Sequence, residues 1–510
     1  GEDVPPIYAE IGTLLLLRGR LDEAVPNLRK AVEAAPEVAF HHRILGRAYR
    51  EMEDCEASLR ELRVSESLEP DSPETQYEVA QTLKMMRRRD GADAECSQED
   101  VLDALRTAAR LAPSTAIYQF ALGERLLREG RHDLAQVPLE KAVELKPDNA
   151  PWHAALGDVY AEQDQYDLAL EQYARALEFE PQEVSYLHRT ATAHIELGMD
   201  KEACELLEQA IKLEPGNPML LSDLGDVYYE QGKVREAREV YTRASELEPE
   251  NASHLVNLGS VAFDLGNPDE ALSKFEEAIT LSDDCTPAYE RMGALYERDR
   301  QWAKSLDAYR RASELQPGRA LYHYKAGAIH RQLGRQEEAT EYLEAAVELD
   351  PGMADAYVQL GEAYEAQERF DEAVQAYEQA LAIAPDQPAH HLHMGRLCRE
   401  LGHLDKALRH AQELINLEPE EGTSFYELGQ THQARDEYHE ALDAYLDACD
   451  RDPDEAEYQY RAGVMYKHLK RYAEAASRLR RAIKLQPGHA DAYKQWAAVS
   501  AMSFISRERR

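Results

Sequence analysis

Prolines recur at a fixed interval along almost the whole chain, and this interval constrains the fold more than any other feature. Most consecutive members of the series are 34 residues apart, at positions 36, 70, 113, 147, 181, 215, 249, 317, 351, 385, 419, 453 and 487. The step from Pro249 to Pro317 spans two intervals, with Asp283 at the missing position, and the step from Pro70 to Pro113 is 43 residues. A period of roughly 20 to 50 residues indicates a repeat architecture.

A second regularity inside each interval indicates a pair of packed helices. A Gly follows an aromatic residue, His or Leu by four positions, and an Ala follows the Gly by twelve, as in His153, Leu156, Gly157, Tyr160, Ala169, Tyr173, Ala176 and Pro181. Small residues let two helices approach closely, and Pro ends the second helix. This pattern resembles the tetratricopeptide repeat, W-x2-L-G-x2-Y, A-x3-F and P. The resemblance implies an all-α fold, a right-handed superhelical α-solenoid of tandem helix pairs with a long groove.

The length of the chain, 510 residues, suits a fold that grows by repetition. Each repeat buries its apolar face only against its neighbours, so no central core is needed. We therefore expect a single solenoid over residues 1–510, with 14 repeats, a 43-residue third repeat and a final single helix over residues 487–510. The insertion lies near residues 87–100, where Asp90 to Asp100 is polar and contains Gly, which predicts a lengthened loop between the two helices of that repeat.

The charge balance narrows the class of partner. The chain has 58 basic and 97 acidic residues, a formal net charge of -39. Nucleic-acid binding depends on Lys and Arg that displace counterions, so DNA and RNA are disfavoured. The same negative field favours solubility, and it attracts basic segments over roughly 8 Å at physiological salt.

Cysteine usage and apolar runs predict a cytoplasmic protein without a membrane partner. The six cysteines are widely spaced and form no CxxC pair, which is typical of reduced thiols. The longest apolar run near the start, Leu14 to Leu17, is far shorter than the roughly 20 residues that span a bilayer. The first residue, Gly1, suggests a cloning remnant or a segment of a longer protein.

Motifs that would carry chemistry are missing from the sequence. We find no GxxxxGK[ST], no HExxH and no GxSxG, and the strongly patterned residues are explained by the repeat. One metal-like cluster consists of His390, His391, His393, Cys398, His403 and His410. Because His391 occupies the position of the consensus Trp, as His42 and His153 do, we expect it to pack between helices. We predict no metal, no cofactor and no catalytic residue.

The resemblance also implies which positions line the groove, namely 2, 5, 9, 12 and 13 of each repeat, when the conserved Gly is counted as 8. The carboxylate clamp that binds heat-shock chaperone tails needs Asn at position 9, and this chain has none there. The asparagine ladder of O-linked N-acetylglucosamine transferases needs Asn at position 6, where only Asn257 matches. We therefore expect this chain to bind neither of these two ligands.

The remaining groove positions predict two zones that bind a partner. An acidic and aromatic zone in repeats 5 to 9 comprises Asp158, Glu162, Glu196, Asp226, Tyr229, Glu230, Phe263, Asp264, Glu290 and Glu297. A basic and aromatic zone in repeats 10 to 14 comprises Tyr324, Arg331, Arg396, Arg399, Tyr426, Tyr460 and Lys467. The first zone suits Lys- or Arg-bearing segments and the second suits acidic ones. The alternative is that a chain this acidic carries carboxylates on every face.

These observations leave two hypotheses for function. The first is a non-catalytic scaffold that holds a peptide or protein partner, with a basic segment, in the groove. The second is the regulatory or sensor arm of a larger protein, such as a signalling ATPase, a caspase-like protease or a glycosyltransferase, and the parent reading frame would discriminate between them. Apolar residues in the first and last helices predict self-association or a fused domain at the ends, and these residues are Ile11, Leu14 to Leu17, Trp496, Val499, Met502, Phe504 and Ile505.

Overall fold

The computed structural model describes residues 5–90 and 96–508, with side chains for residues 7–89 and 96–502. The described part contains 29 helices and no strand, in the order of 14 pairs followed by a last helix. The chain divides into two compact units, residues 1–250 (unit 1) and residues 251–510 (unit 2). Within each unit, every helix packs against the next one in sequence. The all-α solenoid of tandem helix pairs is therefore confirmed in both units.

In every pair but the third, the first helix has 12 or 13 residues, and every second helix has 14. The helices of unit 1 are α1 (Pro5–Leu17), α2 (Leu21–Ala34), α3 (Ala39–Glu51), α4 (Cys55–Leu68), α5 (Pro73–Asp90), α6 (Gln98–Leu111), α7 (Ala116–Arg128), α8 (His132–Leu145), α9 (Ala150–Ala161), α10 (Tyr166–Phe179), α11 (Val184–Glu196), α12 (Asp200–Leu213), α13 (Pro218–Glu230) and α14 (Val234–Leu247). The helices of unit 2 are α15 (Ala252–Asp264), α16 (Pro268–Leu281), α17 (Thr286–Arg298), α18 (Trp302–Leu315), α19 (Ala320–Gln332), α20 (Gln336–Leu349), α21 (Ala354–Ala366), α22 (Phe370–Ile383), α23 (Pro388–Glu400), α24 (Leu404–Leu417), α25 (Gly422–Ala434), α26 (Tyr438–Arg451), α27 (Ala456–His468), α28 (Tyr472–Leu485) and α29 (Ala490–Glu508).

Local sequence sets where the helices begin and end, as repeat 5 shows. Asn149 caps α9, because its side chain accepts a hydrogen bond from the backbone N–H of Trp152 at 3.2 Å. The turn to α10 passes through Asp164 with φ 58°, a left-handed conformation in which the equivalent residue of the next repeat, Gly198, is unstrained. Pro181 follows the end of α10 and prevents its continuation.

A Gly recurs in the first helix of twelve of the 14 pairs, and in repeat 5 it marks a close approach of the two helices. A Cβ added to Gly157 would lie 2.4 Å from the ring of Tyr173 on α10, so only Gly fits there. The alanines of the pattern, Ala169 and Ala176, are fully buried around the same contact. The repeating core thus combines small residues at the crossing with a large side chain beside it.

In the third repeat, the segment between the two helices is shorter than the loop that the sequence predicts. The first helix, α5, has 18 residues and continues to Asp90, and α6 already begins at Gln98. Ser97 and Asp100 form a reciprocal capping box that starts α6. Residues 98–100, expected in the loop, are therefore helical, because this cap satisfies the first backbone N–H groups. Residues 91–95 of the predicted loop lie outside the described part.

Apolar side chains at both ends are only partly covered. On α1, Leu16 is buried, whereas Leu14 is 57% and Leu17 is 67% exposed. On α29, Val499 is buried and Met502 is 40% exposed. The side chains of residues 504 and 505, which belong to the same prediction, fall beyond the described ones. No helix in the described part combines the length and the apolar character needed to cross a membrane.

Candidate functional site

The acidic residues predicted in unit 1 fall into two structurally different groups, and Asp158 represents the first. Its Oδ1 accepts a hydrogen bond from the Tyr173 hydroxyl at 2.9 Å, and its Oδ2 lies 2.8 Å from Nη1 of Arg189. Burial raises the pKa of Asp158, while the charge of Arg189 and the Tyr173 hydrogen bond act to lower it. Asp158 therefore joins α9, α10 and α11. Asp226 resembles it, because the Tyr241 hydroxyl donates to Oδ1 of Asp226 at 2.6 Å.

The second group is a row of exposed carboxylates that we call the acidic row: Glu162, Glu196 and Glu230. They occupy the same position, at or just after the end of the first helix, in three consecutive repeats. The Glu162 side chain is 61% exposed, with Nδ1 of His132 at 3.7 Å. Glu196 and Glu230 are exposed and make no hydrogen bond or ion pair with the described residues. The acidic row is thus available to a partner. Tyr229, which precedes Glu230, is half-buried.

The acidic and aromatic residues predicted in unit 2 have partners within the fold. The guanidinium of Arg298 lies 3.9 Å from the ring centre of Phe263, so this aromatic face is already covered by a cation. Glu297 accepts a hydrogen bond from the Tyr309 hydroxyl at 3.2 Å and lies 3.3 Å from Nζ of Lys325. Glu290, another predicted carboxylate, accepts a hydrogen bond from the Tyr322 hydroxyl at 3.0 Å. Asp264 is exposed at the end of α15.

The predicted basic residues of unit 2 are held in ion pairs with acids that sequence reasoning did not single out. Arg396 and Arg399 both bind Glu427 of the next first helix, at 2.8 Å each, and the Glu427 side chain is only 5% exposed. Arg331 lies 3.1 Å from Glu362 and donates to Gln359 at 2.7 Å. These arginines therefore stabilise contacts between successive repeats.

The other predicted residues of unit 2 also pack across repeats. Tyr426 stacks on Tyr458 with 5.0 Å between ring centres, and the Tyr460 ring lies 4.6 Å from that of His489. Nζ of Lys467 donates to Gln495 at 2.7 Å. Tyr324 lines a cavity of about 450 Å³ with Glu297 and Arg331, and burial raises its pKa.

A sequence signal for these ion pairs exists in the spacing of opposite charges. A cation and an acid on successive first helices meet when they are 28 or 31 residues apart, as in Arg399 with Glu427 and Arg396 with Glu427. In unit 1, Arg50 and Glu78 are 28 residues apart and 2.5 Å from each other. Screening each predicted charge for an opposite one at these two spacings would have separated paired side chains from available ones.

One cavity of unit 1 lies among the first helices of repeats 4 to 6 and has a volume of about 650 Å³. Phe120, Leu127, Ala154 and Ala161 supply apolar surface, and Asp158 and Glu162 lie at its polar side. Two of the predicted partner-binding residues therefore border the same cavity. Tyr186 of α11 closes it and is itself buried.

The histidines at the consensus Trp position are structural, as the sequence predicts. Nε2 of His42, His153 and His391 lies 3.0, 3.0 and 2.8 Å from the carbonyl oxygen of the Pro six residues before it. Because a carbonyl only accepts, Nε2 of each ring must carry a proton. Nδ1 then contacts a second-helix side chain, and those residues are Glu61, Gln172 and His410. Across the described residues, no three His, Cys, Asp or Glu side chains converge as metal ligands would.

Comparison with known proteins identifies the repeat. Models described as the tetratricopeptide repeat match residues 222–287, 291–354 and 420–490, residues 126–193, 330–397 and 366–426, residues 5–38 and residues 186–217. Together these matches cover well over half of the chain. No curated protein matches the sequence.

Among solved structures, YrrB, described as a TPR protein with an unusual peptide-binding site, is 25% identical, with a TM-score of 0.33 over 37% of this chain and 97% of that chain. MamA is 28% identical, with a TM-score of 0.30 over 32% of this chain and 91% of that one. The Naa15/Naa10 complex bound to HypK-THB is 14% identical, with a TM-score of 0.39 over 99% and 92%. On the family-model matches and the observed helix pairs, the chain belongs to the tetratricopeptide repeat family.

Proposed function

We propose that this chain is a non-catalytic protein-interaction scaffold, and that unit 1 holds a basic segment of a protein partner along the acidic row. The observation that carries the proposal is the availability of these carboxylates. They are exposed, they recur at 34-residue spacing, and Glu196 and Glu230 have no partner among the described residues. Solenoid repeats present extended surfaces of this kind to other proteins.

The net charge of -39 adds a long-range attraction for the same class of partner. Each exposed ion pair contributes only about 0 to 1 kcal/mol, so affinity requires several pairs and some burial of apolar surface. Tyr229 lies next to Glu230, and Asp158 and Glu162 border the cavity whose apolar surface comes from residues such as Phe120 and Leu127. A basic segment that follows the acidic row therefore meets apolar surface along its path.

In unit 2, fewer of the predicted residues are available to contact a partner. Arg396 is 46% exposed and shares Glu427 with Arg399. A guanidinium has five N–H donors, so Arg396 can bind a partner carboxylate without releasing Glu427. The exposed Asp264 and the half-buried Tyr460 are further candidate contacts. The sequence suggests that unit 2 attracts an acidic partner. This attraction is weaker in the structure, because the predicted arginines already form ion pairs with carboxylates of the fold.

A structural rather than catalytic role is supported by how the strongly interacting groups are used. Asp158, Glu427 and His391 each connect helices of the repeat through hydrogen bonds or ion pairs. The available carboxylates lie in a row one repeat apart, and the single histidine within ion-pair distance of them among the described residues is His132, with Nδ1 at 3.7 Å from Glu162. All six cysteines are thiols rather than disulfides, which suits a reducing compartment such as the cytoplasm, and we propose that the scaffold works there.

The test is a matched pair of charge reversals in unit 1. Affinity purification with mass spectrometry first identifies the partner. Glu196→Lys with Glu230→Lys should then weaken its binding by about 10-fold or more at low salt, because two attractive contacts become repulsive. Asp226 is left intact, since its hydrogen bond with Tyr241 would confound binding with stability.

The control is Glu205→Lys with Glu239→Lys, two exposed positions on the second helices α12 and α14, also 34 residues apart. Both double variants change the net charge equally. Fluorescence anisotropy across salt concentrations should show little change in affinity for the control. Equal losses from the two double variants would show that bulk charge governs binding and would overturn the proposal.

A further inference from the structure

The cavity among the first helices of repeats 4 to 6 lies beside a small residue at a position where the other repeats of unit 1 have large ones. Ala161 is at position 12 of repeat 5 and lines the cavity. The same position in the other repeats of unit 1 is occupied by Leu16, Arg50, Lys84, Leu127, Ile195 and Tyr229. Position 5 of repeat 5 is also small, Ala154, between Phe120 and His188 of the adjacent repeats. Repeat 5 therefore leaves space that a side chain of its own would otherwise fill.

Four of the five carboxylate and guanidinium side chains that line this space form two ion pairs. Arg189 lies 2.8 Å from Asp158, and Arg128 lies 2.6 Å from Glu124, so two cations and two acids offset each other. Glu162 remains, mostly exposed, with only the His132 ring at 3.7 Å. The charge that the cavity offers to a ligand is thus negative, and it continues into the rest of the acidic row.

Most of the remaining wall is apolar or aromatic. Phe120 stacks on Trp152 with 5.0 Å between ring centres, which holds its ring in place beside the cavity. Leu127 is half-buried, and the buried rings of Tyr173 and Tyr186 border the space. A volume of about 650 Å³ is ample for one large side chain and part of its backbone.

From this geometry we propose that the cavity receives a bulky apolar side chain, Leu, Phe or Trp, of a peptide segment whose neighbouring Lys or Arg residues pair with the acidic row. The inference rests on the proposed function and adds an anchor residue to it. Small residues at positions 5 and 12 make room for the anchor, and Glu162 selects a cation beside it. Apolar burial supplies the affinity that exposed ion pairs lack.

The experiment fills the cavity with residues that the fold already accepts at the same position. Ala161→Leu copies Leu127 of repeat 4, and Ala161→Ile copies Ile195 of repeat 6. The control is Ala174→Leu, an exposed position on the second helix of the same repeat. Circular dichroism and thermal melting check that all three variants are folded.

The probe is a phage-displayed library of random dodecapeptides, selected on the unmodified chain, followed by synthetic copies of the enriched peptides. We expect enriched peptides to combine a large apolar residue with Lys or Arg close by in sequence. Ala161→Leu and Ala161→Ile should weaken them by about 10-fold or more in fluorescence anisotropy, and Ala174→Leu by less than about twofold. Replacing the apolar residue of the peptide by Ala should lower the affinity of the peptide for the unmodified chain. The same replacement should lower its affinity for Ala161→Leu only slightly further.

Peptides that lose affinity in Glu196→Lys with Glu230→Lys but not in Ala161→Leu or Ala161→Ile would overturn the anchor and leave the proposed function standing. A consensus with basic residues and no apolar residue would also overturn it. A selection that enriches no peptide at all would count against both proposals.

Discussion

The first helices of both units carry charges at predicted groove positions, but the charges are used differently. In unit 1, Glu196 and Glu230 are exposed and unpaired among the described residues. In unit 2, Arg396 and Arg399 close on the buried Glu427 of the next repeat. The difference teaches that a groove position does not by itself make a charge available to a partner. What decides is whether the neighbouring first helix presents an opposite charge within reach.

Removing Glu427 tests the paired side of this comparison and should have the largest effect. Glu427→Ala leaves Arg399, 17% exposed, without its partner and removes the acceptor of three guanidinium hydrogen bonds. We expect a loss of about 2 to 4 kcal/mol in the local free energy of opening. Native-state hydrogen exchange of peptides from α23 and α25 would measure it.

The matched variant in unit 1 is Glu230→Ala, which should change the opening free energy of α13 by less than about 0.5 kcal/mol because that carboxylate is exposed and unpaired. Comparable losses in the two variants would contradict the distinction between paired and available charges.

A second test uses the contact between the His at the consensus Trp position and the second helix, which involves different side chains in the two units. In unit 1, Nδ1 of His153 pairs with Gln172 at 2.9 Å, and in unit 2, Nδ1 of His391 pairs with Nδ1 of His410 at 3.2 Å. One of two facing imidazole nitrogens must lack a proton, so the pair cannot accept full protonation. Burial, with smaller contributions from His391 and nearby cations, lowers the pKa of His410 from 6.5 to about 4.

The sign of the pH effect follows from this lowered pKa. Between about pH 6.5 and pH 4 the unfolded chain binds more protons at His410 than the folded chain, so stability falls as the pH falls through this window and levels off below it. We expect a loss of about 2 kcal/mol around α23 and α24, less than the full shift implies because the side chain is partly accessible. His410→Gln, which copies the unit 1 contact, should abolish this part of the pH dependence. Hydrogen exchange at pH 7 and pH 4.5 would measure it, and an unchanged pH dependence in His410→Gln would contradict the assignment.

A third and smaller effect concerns the recurring Gly of the same two repeats. A Cβ on Gly157 would lie 2.4 Å from the Tyr173 ring, whereas a Cβ on Gly395 would lie 3.4 Å from Cβ of His410. Gly157→Ala should therefore destabilise by about 1 to 2 kcal/mol, overpacking being partly offset by better helix propensity. Gly395→Ala should be neutral or stabilising by up to about 1 kcal/mol. Thermal and urea unfolding of both variants would rank them, and a destabilised Gly395→Ala would show that the second-helix residue does not decide the tolerance.

The amino-acid sequence by itself determined the elements of the fold. Pro181 and its equivalents end second helices, and Gly157 and its equivalents mark the crossing with the partner helix. These features are predictable because each is local, lies within one 34-residue unit and recurs along the chain. The structural role of His391 was predictable for the same reason, since His42 and His153 occupy its position in other repeats.

Only the tertiary structure decided which side chains remain available and where space is left. Arg396 and Glu427 are 31 residues apart and on different repeats, so their contact depends on how successive first helices are juxtaposed. The cavity beside Ala161 arises from several repeats together, because Phe120, Leu127 and Tyr186 enclose what Ala161 leaves empty. Ion pairs and cavities depend on which surfaces of neighbouring repeats face each other in three dimensions. The 34-residue period predicts that successive helices pack together. It does not predict which of their side chains find a hydrogen-bond or ion-pair partner.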